Sequence, residues 1–193
     1  MAWNNVSVEI ERHIFHIAFG TALAILYFYD IMRPVYFIIL TVIAAFSFWL
    51  YKRIKIPGLH QFMIRLEREE NLKKHPGIGA LYYMLGSTIA TLIYPKEIAL
   101  ASIMVLAWGD GVAGLMGSHK KKPTKEWKST ITAIITASIT AQFFVPRTPA
   151  IISSVITMLL ERFEFRKWKL DDNLVVPLTA GLIMILLQNS IIF

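Results

Sequence analysis

The chain has no cysteine. That excludes disulfides, thiolate metal sites and cysteine nucleophiles together. Charge is scarce as well: Asp, Glu, Lys and Arg make up 17% of the 193 residues, and the 13 acidic residues are outnumbered by 20 basic ones. A signal-peptide pattern is missing too, because Glu9 and Glu11 precede the first apolar run and no small-residue cleavage site follows it. No internal repeat and no low-complexity segment is found. What remains is apolar, with 55% hydrophobic residues and a mean hydropathy of +0.54. A soluble domain of this size is less apolar, so the composition points to an integral membrane protein without a separate soluble domain.

Seven apolar segments are expected to cross the membrane: residues 14–31, 34–51, 77–94, 98–117, 130–145, 149–160 and 174–193. The fifth and sixth are short against the roughly 20 residues a spanning helix needs. Pro146 and Pro149 bracket the turn between them and favour a tight hairpin. The expected fold is therefore all-α, a single transmembrane catalytic domain over residues 1–193. With seven spans, 17 lysines and arginines fall on the side of the N-terminus and 3 (Arg33, Lys96, Arg147) on the other. That asymmetry places the N-terminus in the cytoplasm. The net charge of +7 is then mostly topology and attraction to a lipid surface, not a nucleic-acid footprint. Among the acidic residues only Asp30 and Glu97 fall outside, so every candidate for chemistry faces the cytosol. In the second cytoplasmic segment Leu59, Phe62, Met63 and Leu66 form one helical face, which predicts an amphipathic helix lying in the interface plane. Pro76 ends it, and His75 before a proline is biased away from helix.

Five groups of residues carry candidate chemistry. Asp110 lies within an apolar run, in Trp108-Gly109-Asp110-Gly111, followed by Gly114 and Gly117. A carboxylate at the centre of a membrane helix costs about 2.5–3.5 kcal/mol, which makes it a functional-site candidate. Glycines let a phosphate approach the backbone, and one carboxylate plus substrate phosphates suits Mg²⁺. The competing explanation for Gly111, Gly114 and Gly117 is a helix-packing face. Next, Lys120, Lys121, Lys122, Lys125 and Lys128 are point-charge partners for phosphate, with Lys128, Ser129 and Thr130 at the start of the fifth span, where a helix N-terminus favours an anion. A solvated positive-inside loop is the alternative for Lys120–Lys122. Arg12 and His16 share a helical face, with Gly20 one turn on. Arg65, Glu67, Glu70 and His75-Pro76-Gly77 form a charged run that is ordinarily solvated. Asp171-Asp172-Asn173 opens the seventh span, as an N-cap or as a holder of a metal-bound phosphate. In the fifth span, Ala133, Ala137 and Ala141 make one stripe of small residues and Thr132, Thr136 and Thr140 the next, which suits packing, with the lining of a lipid path as the lesser reading.

Taken together, these residues resemble the CTP-dependent polyprenol kinase family, which includes dolichol and phytol kinases. The resemblance covers most of the chain. It rests on Arg12…His16…Gly20, Arg65-x-Glu67, His75-Pro76-Gly77, Gly109-Asp110-x-x-Ala113-x-x-x-Gly117, the basic loop, Lys128-Ser129 and Asp171-Asp172-Asn173-Leu174-x-x-Pro177. It implies a membrane enzyme that phosphorylates a long isoprenoid alcohol with CTP and a divalent metal. One departure stands out: the family follows its Lys-Ser pair with Glu-Gly, whereas Thr130-Ile131 stands here. That leaves the missing glutamate's contact to Asp172 or to no residue. Phosphatidate cytidylyltransferases share a comparable Asp…Gly…Lys-Lys-Thr arrangement.

The expected reaction is attack of a lipid hydroxyl on the γ-phosphorus of CTP. Asp110 and Asp172 are the expected metal holders, with Lys128 as a further catalytic candidate and Asp172 or His16 as the acceptor of the hydroxyl proton. Gly109, Gly114, Gly117, Lys120, Lys121, Lys128, Ser129 and Asn173 are expected at the nucleotide. Arg12, His16, Arg65, Glu67 and His75 are expected at the lipid. A cytidylyltransferase attacking the α-phosphorus is the nearest rival. A small transporter is a more distant one, since its intramembrane charge would sit on a path reaching the outer half, where charges are few.

Overall fold

The computed structural model describes residues 2–54, 58, 77–117, 126–162 and 171–191. Every regular element among them is helical. Seven helices follow the seven apolar segments in order: α1 (Ala2–Phe28), α2 (Pro34–Arg53), α3 (Ile78–Ile93), α4 (Lys96–Gly117), α5 (Trp127–Ala141), α6 (Arg147–Arg162) and α7 (Asp172–Ile191). The helix expected around residues 59–66 lies outside the described residues.

The ends of the helices follow local chemistry. α1 begins well before its apolar run, and its polar start is supported by the Arg12–Glu9 ion pair at 2.6 Å, spaced i, i+3. After Phe28 the chain turns through Asp30, whose φ of 59° lies in the left-handed region that Asp tolerates. Pro34 then opens α2, where its missing N–H costs nothing. Gly77 caps α3 at φ 85°, a conformation that favours glycine. α6 starts at Arg147, so Pro149 sits inside its first turn and not in the hairpin turn. A proline there removes no helical hydrogen bond.

α4 is the central helix. Residues 98–107 are all buried, as expected for a helix that is apolar on every side. α1, α3, α5 and α7 surround it. α5 turns Ala133, Ala137 and Ala141 to the core, each 0% exposed, and sends Ile131, Ile135 and Ile139 outward. The alanine stripe is thus a packing face. α2 is the contrary case: apolar, yet with only 11% of its window buried, resting chiefly on α3. Phe37 is fully buried there, and Thr88 Oγ1 of α3 donates to its carbonyl at 3.0 Å. A helix so apolar and so exposed requires an apolar medium. Among the described residues three helices, α2, α4 and α7, are long and apolar enough to cross a membrane.

Short turns join α1 to α2, α3 to α4 and α5 to α6, which makes each pair antiparallel. At one end of the bundle Lys96 Nζ bridges to Asp30 Oδ1 at 2.6 Å, and the Phe28 and Phe144 rings meet at 5.9 Å. The opposite end gathers the start of α1, the close of α4 and the starts of α5 and α7.

Candidate active site

The site is built where α4 changes its winding. After Met104 the helix widens into a π-helical segment, Val105–Asp110, and then resumes as α-helix from Gly111 to Gly117. Insertions of this kind are frequent at functional sites. Asp110 ends the segment with its side chain 21% exposed. His16 of α1 points at it, with Nε2 3.5 Å from Asp110 Oδ2 and 3.3 Å from the Leu106 carbonyl oxygen. The partly buried acid therefore faces a histidine about two turns before the end of the central helix, and its side chain keeps some access to solvent.

α1 and α4 meet along a ladder of close contacts. A Cβ on Gly114 would collide with the His13 ring, and one on Gly111 would collide with Ile17. Further along, Trp108 Nε1 donates to Thr21 Oγ1 at 3.0 Å. On the other flank of α4, a Cβ on Gly109 would stand 2.7 Å from Met158 Sδ and 3.3 Å from Ala137 Cβ. The packing explanation thus accounts for Gly109, Gly111 and Gly114. Gly117 is different: nothing lies within 4 Å of its Cβ direction.

The other candidates arrive from three helices. Arg12 turns to Glu9 and lies 2.8 Å from His13 Nε2, both on its own helix. Lys128 is exposed at the start of α5. The neighbouring Ser129 is buried, and its hydroxyl donates to the Ala113 carbonyl at 2.8 Å, tying α5 to the last turns of α4. Thr130, where the family pattern has glutamate, accepts from Arg162 Nη1 at 3.2 Å, and that guanidinium lies 4.1 Å over the Trp127 ring. Asp172 and Asn173 open α7. The Asn173 N–H bonds Asp171 Oδ1 at 3.0 Å, and its Nδ2 donates to the Gly79 carbonyl at 3.4 Å. Pro177 cannot donate to the Asn173 carbonyl four residues back. Gly86 of α3 fits beneath that carbonyl, where a Cβ would collide with it. Lys120, Lys121, Arg65, Glu67 and His75 lie outside the described residues.

Three neighbours of the site carry no motif of their own: Glu9, His13 and Tyr83. Tyr83 meets His16 edge-on at 4.6 Å between ring centroids. Gly20 makes room for it, since a Cβ there would collide with Tyr83 Oη. Among the described residues no group of three or more His, Asp or Glu side chains converges as a metal cage. The donor set fits instead a hard cation that takes one or two carboxylates and completes its shell with phosphate oxygens and water.

No family model matches the chain, and no solved structure matches it. An uncharacterised protein of Methanocaldococcus jannaschii is 27% identical over 183 residues, covering 91% of this chain and 92% of that relative. A CTP-dependent diacylglycerol kinase of Schizosaccharomyces pombe is 26% identical over 139 residues, 60% of this chain and 63% of the relative. A phytol kinase of Synechocystis is 26% identical over 194 residues, 91% of this chain and 78% of the relative. The resemblance carried by the motifs therefore recurs over the chain as a whole: its named relatives are CTP-dependent diacylglycerol kinases and a phytol kinase, consistent with a CTP-dependent polyprenol and lipid kinase family.

Proposed function

We propose that this chain is a CTP-dependent lipid kinase that transfers the γ-phosphate of CTP to the hydroxyl of a long-chain isoprenoid alcohol. All seven helices cross the bilayer in this reading, with the N-terminus and the reacting end in the cytoplasm. One observation carries it: Asp110 closes a π-helical segment within the central helix and faces His16 Nε2 at 3.5 Å. The names of the relatives support CTP as the donor and a lipid as the acceptor, with the phytol kinase as the isoprenoid case among them. The lipid hydroxyl lies beside the Asp110–His16 pair with its tail among the helices. Its oxygen forms a bond to the γ-phosphorus, the bond from that phosphorus to the β,γ-bridging oxygen breaks, and CDP leaves. The hydroxyl proton passes to a neighbouring base, for which His16 and Asp172 are the candidates. Transfer of this kind depends on positioning and charge neutralisation more than on covalent help. Lys128 and the basic loop offset phosphate charge. Asp110, with Asp172, is the proposed holder of Mg²⁺, which when bound orients and neutralises the phosphates.

CTP labelled separately in the α and the γ phosphate tests the reading, with purified protein and a panel of phytol, geranylgeraniol, a polyprenol and a diacylglycerol. A kinase puts γ label, and no α label, into the lipid. Lipid product carrying α label assigns the chain to cytidylyl transfer instead. Preference for the diacylglycerol over all three isoprenoids overturns the proposed substrate and keeps the reaction.

A further inference from the structure

Tyr83 stands at the junction of α1, α3 and α4, 4% exposed. Its ring meets His16 at 4.6 Å with the planes 88° apart, and Phe19 at 5.8 Å. Gly20 lies against the phenol oxygen; a Cβ there would collide with Oη and come within 2.6 Å of Ala107 Cβ. Gly20 follows His16 by one turn of α1, and Ala107 precedes Asp110 within the π segment. The hydroxyl therefore lies about one turn deeper in the bundle than the Asp110–His16 pair. Oη is fully buried and has no hydrogen-bond partner among the described residues.

A buried polar atom without a partner is costly, and folded proteins seldom leave one. Ser87, Ser138, Ser154 and Thr157 also have buried hydroxyls without a partner among the described residues. Those cases have a local remedy. A serine or threonine in a helix can turn to a carbonyl three or four residues back, as Thr91, Ser102 and Ser153 do. A tyrosine hydroxyl stands at the far end of a rigid ring and cannot reach its own helix. Phenylalanine would fill the same space with no unmet group. The Tyr83 hydroxyl thus calls for a partner that the described chain does not supply, about one turn from the pair beside which the proposed reaction puts the acceptor's oxygen.

We infer that Tyr83 is a substrate-binding residue whose O–H donates a hydrogen bond to the oxygen of the lipid alcohol, holding it beside His16 and Asp110. This rests on the lipid-kinase reading of the site. Donation from Tyr83 occupies one lone pair of the alcohol oxygen. It leaves another for the phosphorus and leaves the alcohol proton free to depart toward a base. Tyr83 keeps its own proton throughout, so its contribution falls on lipid binding more than on the chemical step.

The test compares full-length wild type with Tyr83→Phe in one detergent. Three quantities are measured: ligand-free thermal unfolding, KM for phytol, a diacylglycerol and CTP, and the unfolding shift produced by each lipid without nucleotide. The variant is expected to unfold at the same or a higher temperature, because only an unmet hydroxyl is lost. KM for the lipid acceptor is expected to rise about three- to tenfold while KM for CTP stays within twofold, and the lipid-induced shift is expected to shrink. Gly20→Ala, which displaces Oη without deleting it, is expected to raise the same KM. A purely structural hydroxyl moves stability and leaves the lipid KM alone. An unchanged lipid KM and an unchanged shift, with a responsive wild type, overturn the inference and leave the kinase reading standing. So does a Tyr83→Phe variant that fails to fold, since the hydroxyl then has a structural partner. A wild type that neither turns over nor is stabilised by any lipid overturns both.

Discussion

A carboxylate inside an apolar bundle persists only where partners offset its lost hydration, and His16 is one such partner of Asp110. The pairing joins two residues 94 positions apart that the sequence offered only as separate groups. It was legible in part: a lone acid between glycines is conspicuous in an apolar run, and a histidine four residues before a glycine suggests a close helix approach. Tyr83 was not legible, because a tyrosine in an apolar run looks like any other core or interface aromatic, and its unmet hydroxyl exists only once three helices meet. If His16 takes the proton from the lipid hydroxyl, His16→Gln should lower kcat about 100-fold or more while leaving KM for CTP within a few-fold. Steady-state kinetics over a range of lipid and CTP concentrations measures both, and an unchanged kcat removes His16 from the chemistry.

Along the elements, the contact between α1 and α4 sets the geometry of the site. Gly111 and Gly114 let Ile17 and His13 approach, and His16 reaches Asp110 between them. Gly114→Ala drives a methyl group into the His13 ring, so it should cost about 1–3 kcal/mol of stability. Gly117→Ala meets nothing within 4 Å and should change stability by no more than about 0.5 kcal/mol. Chemical denaturation in detergent distinguishes the two, and equal losses would mean that α1 does not lean on α4 at Gly114. The helices themselves were readable, since each apolar run became one. The π-helical segment was not, because Val105–Asp110 has no composition that asks for it. It arises from packing: Gly109 admits Met158 on one side while Asp110 turns to His16 on the other. The start of α1 at Ala2 was also hidden, because its first turns are polar and hold together through pairs such as Arg12–Glu9.

For the whole molecule, the distribution of charge sets an expected direction in the membrane. Of the lysines and arginines, 17 fall on one side of a seven-span arrangement and 3 on the other. With no native cysteine, single cysteines can be introduced without first removing any. Arg147→Cys, at the exposed start of α6, should react with a membrane-impermeant maleimide added outside intact cells. Glu126→Cys, beside the basic loop, should react only after the membrane is opened. Labelling of Glu126→Cys from outside would invert the proposed topology and remove the nucleotide from reach. The account as a whole depends on Asp110, and the most direct measurement is transfer of label from γ-labelled CTP to a lipid alcohol by wild type and Asp110→Asn side by side. The variant should keep the helical circular dichroism and unfolding temperature of the wild type and lose about 100- to 1000-fold or more in turnover. Undiminished transfer by a folded Asp110→Asn protein would contradict the account.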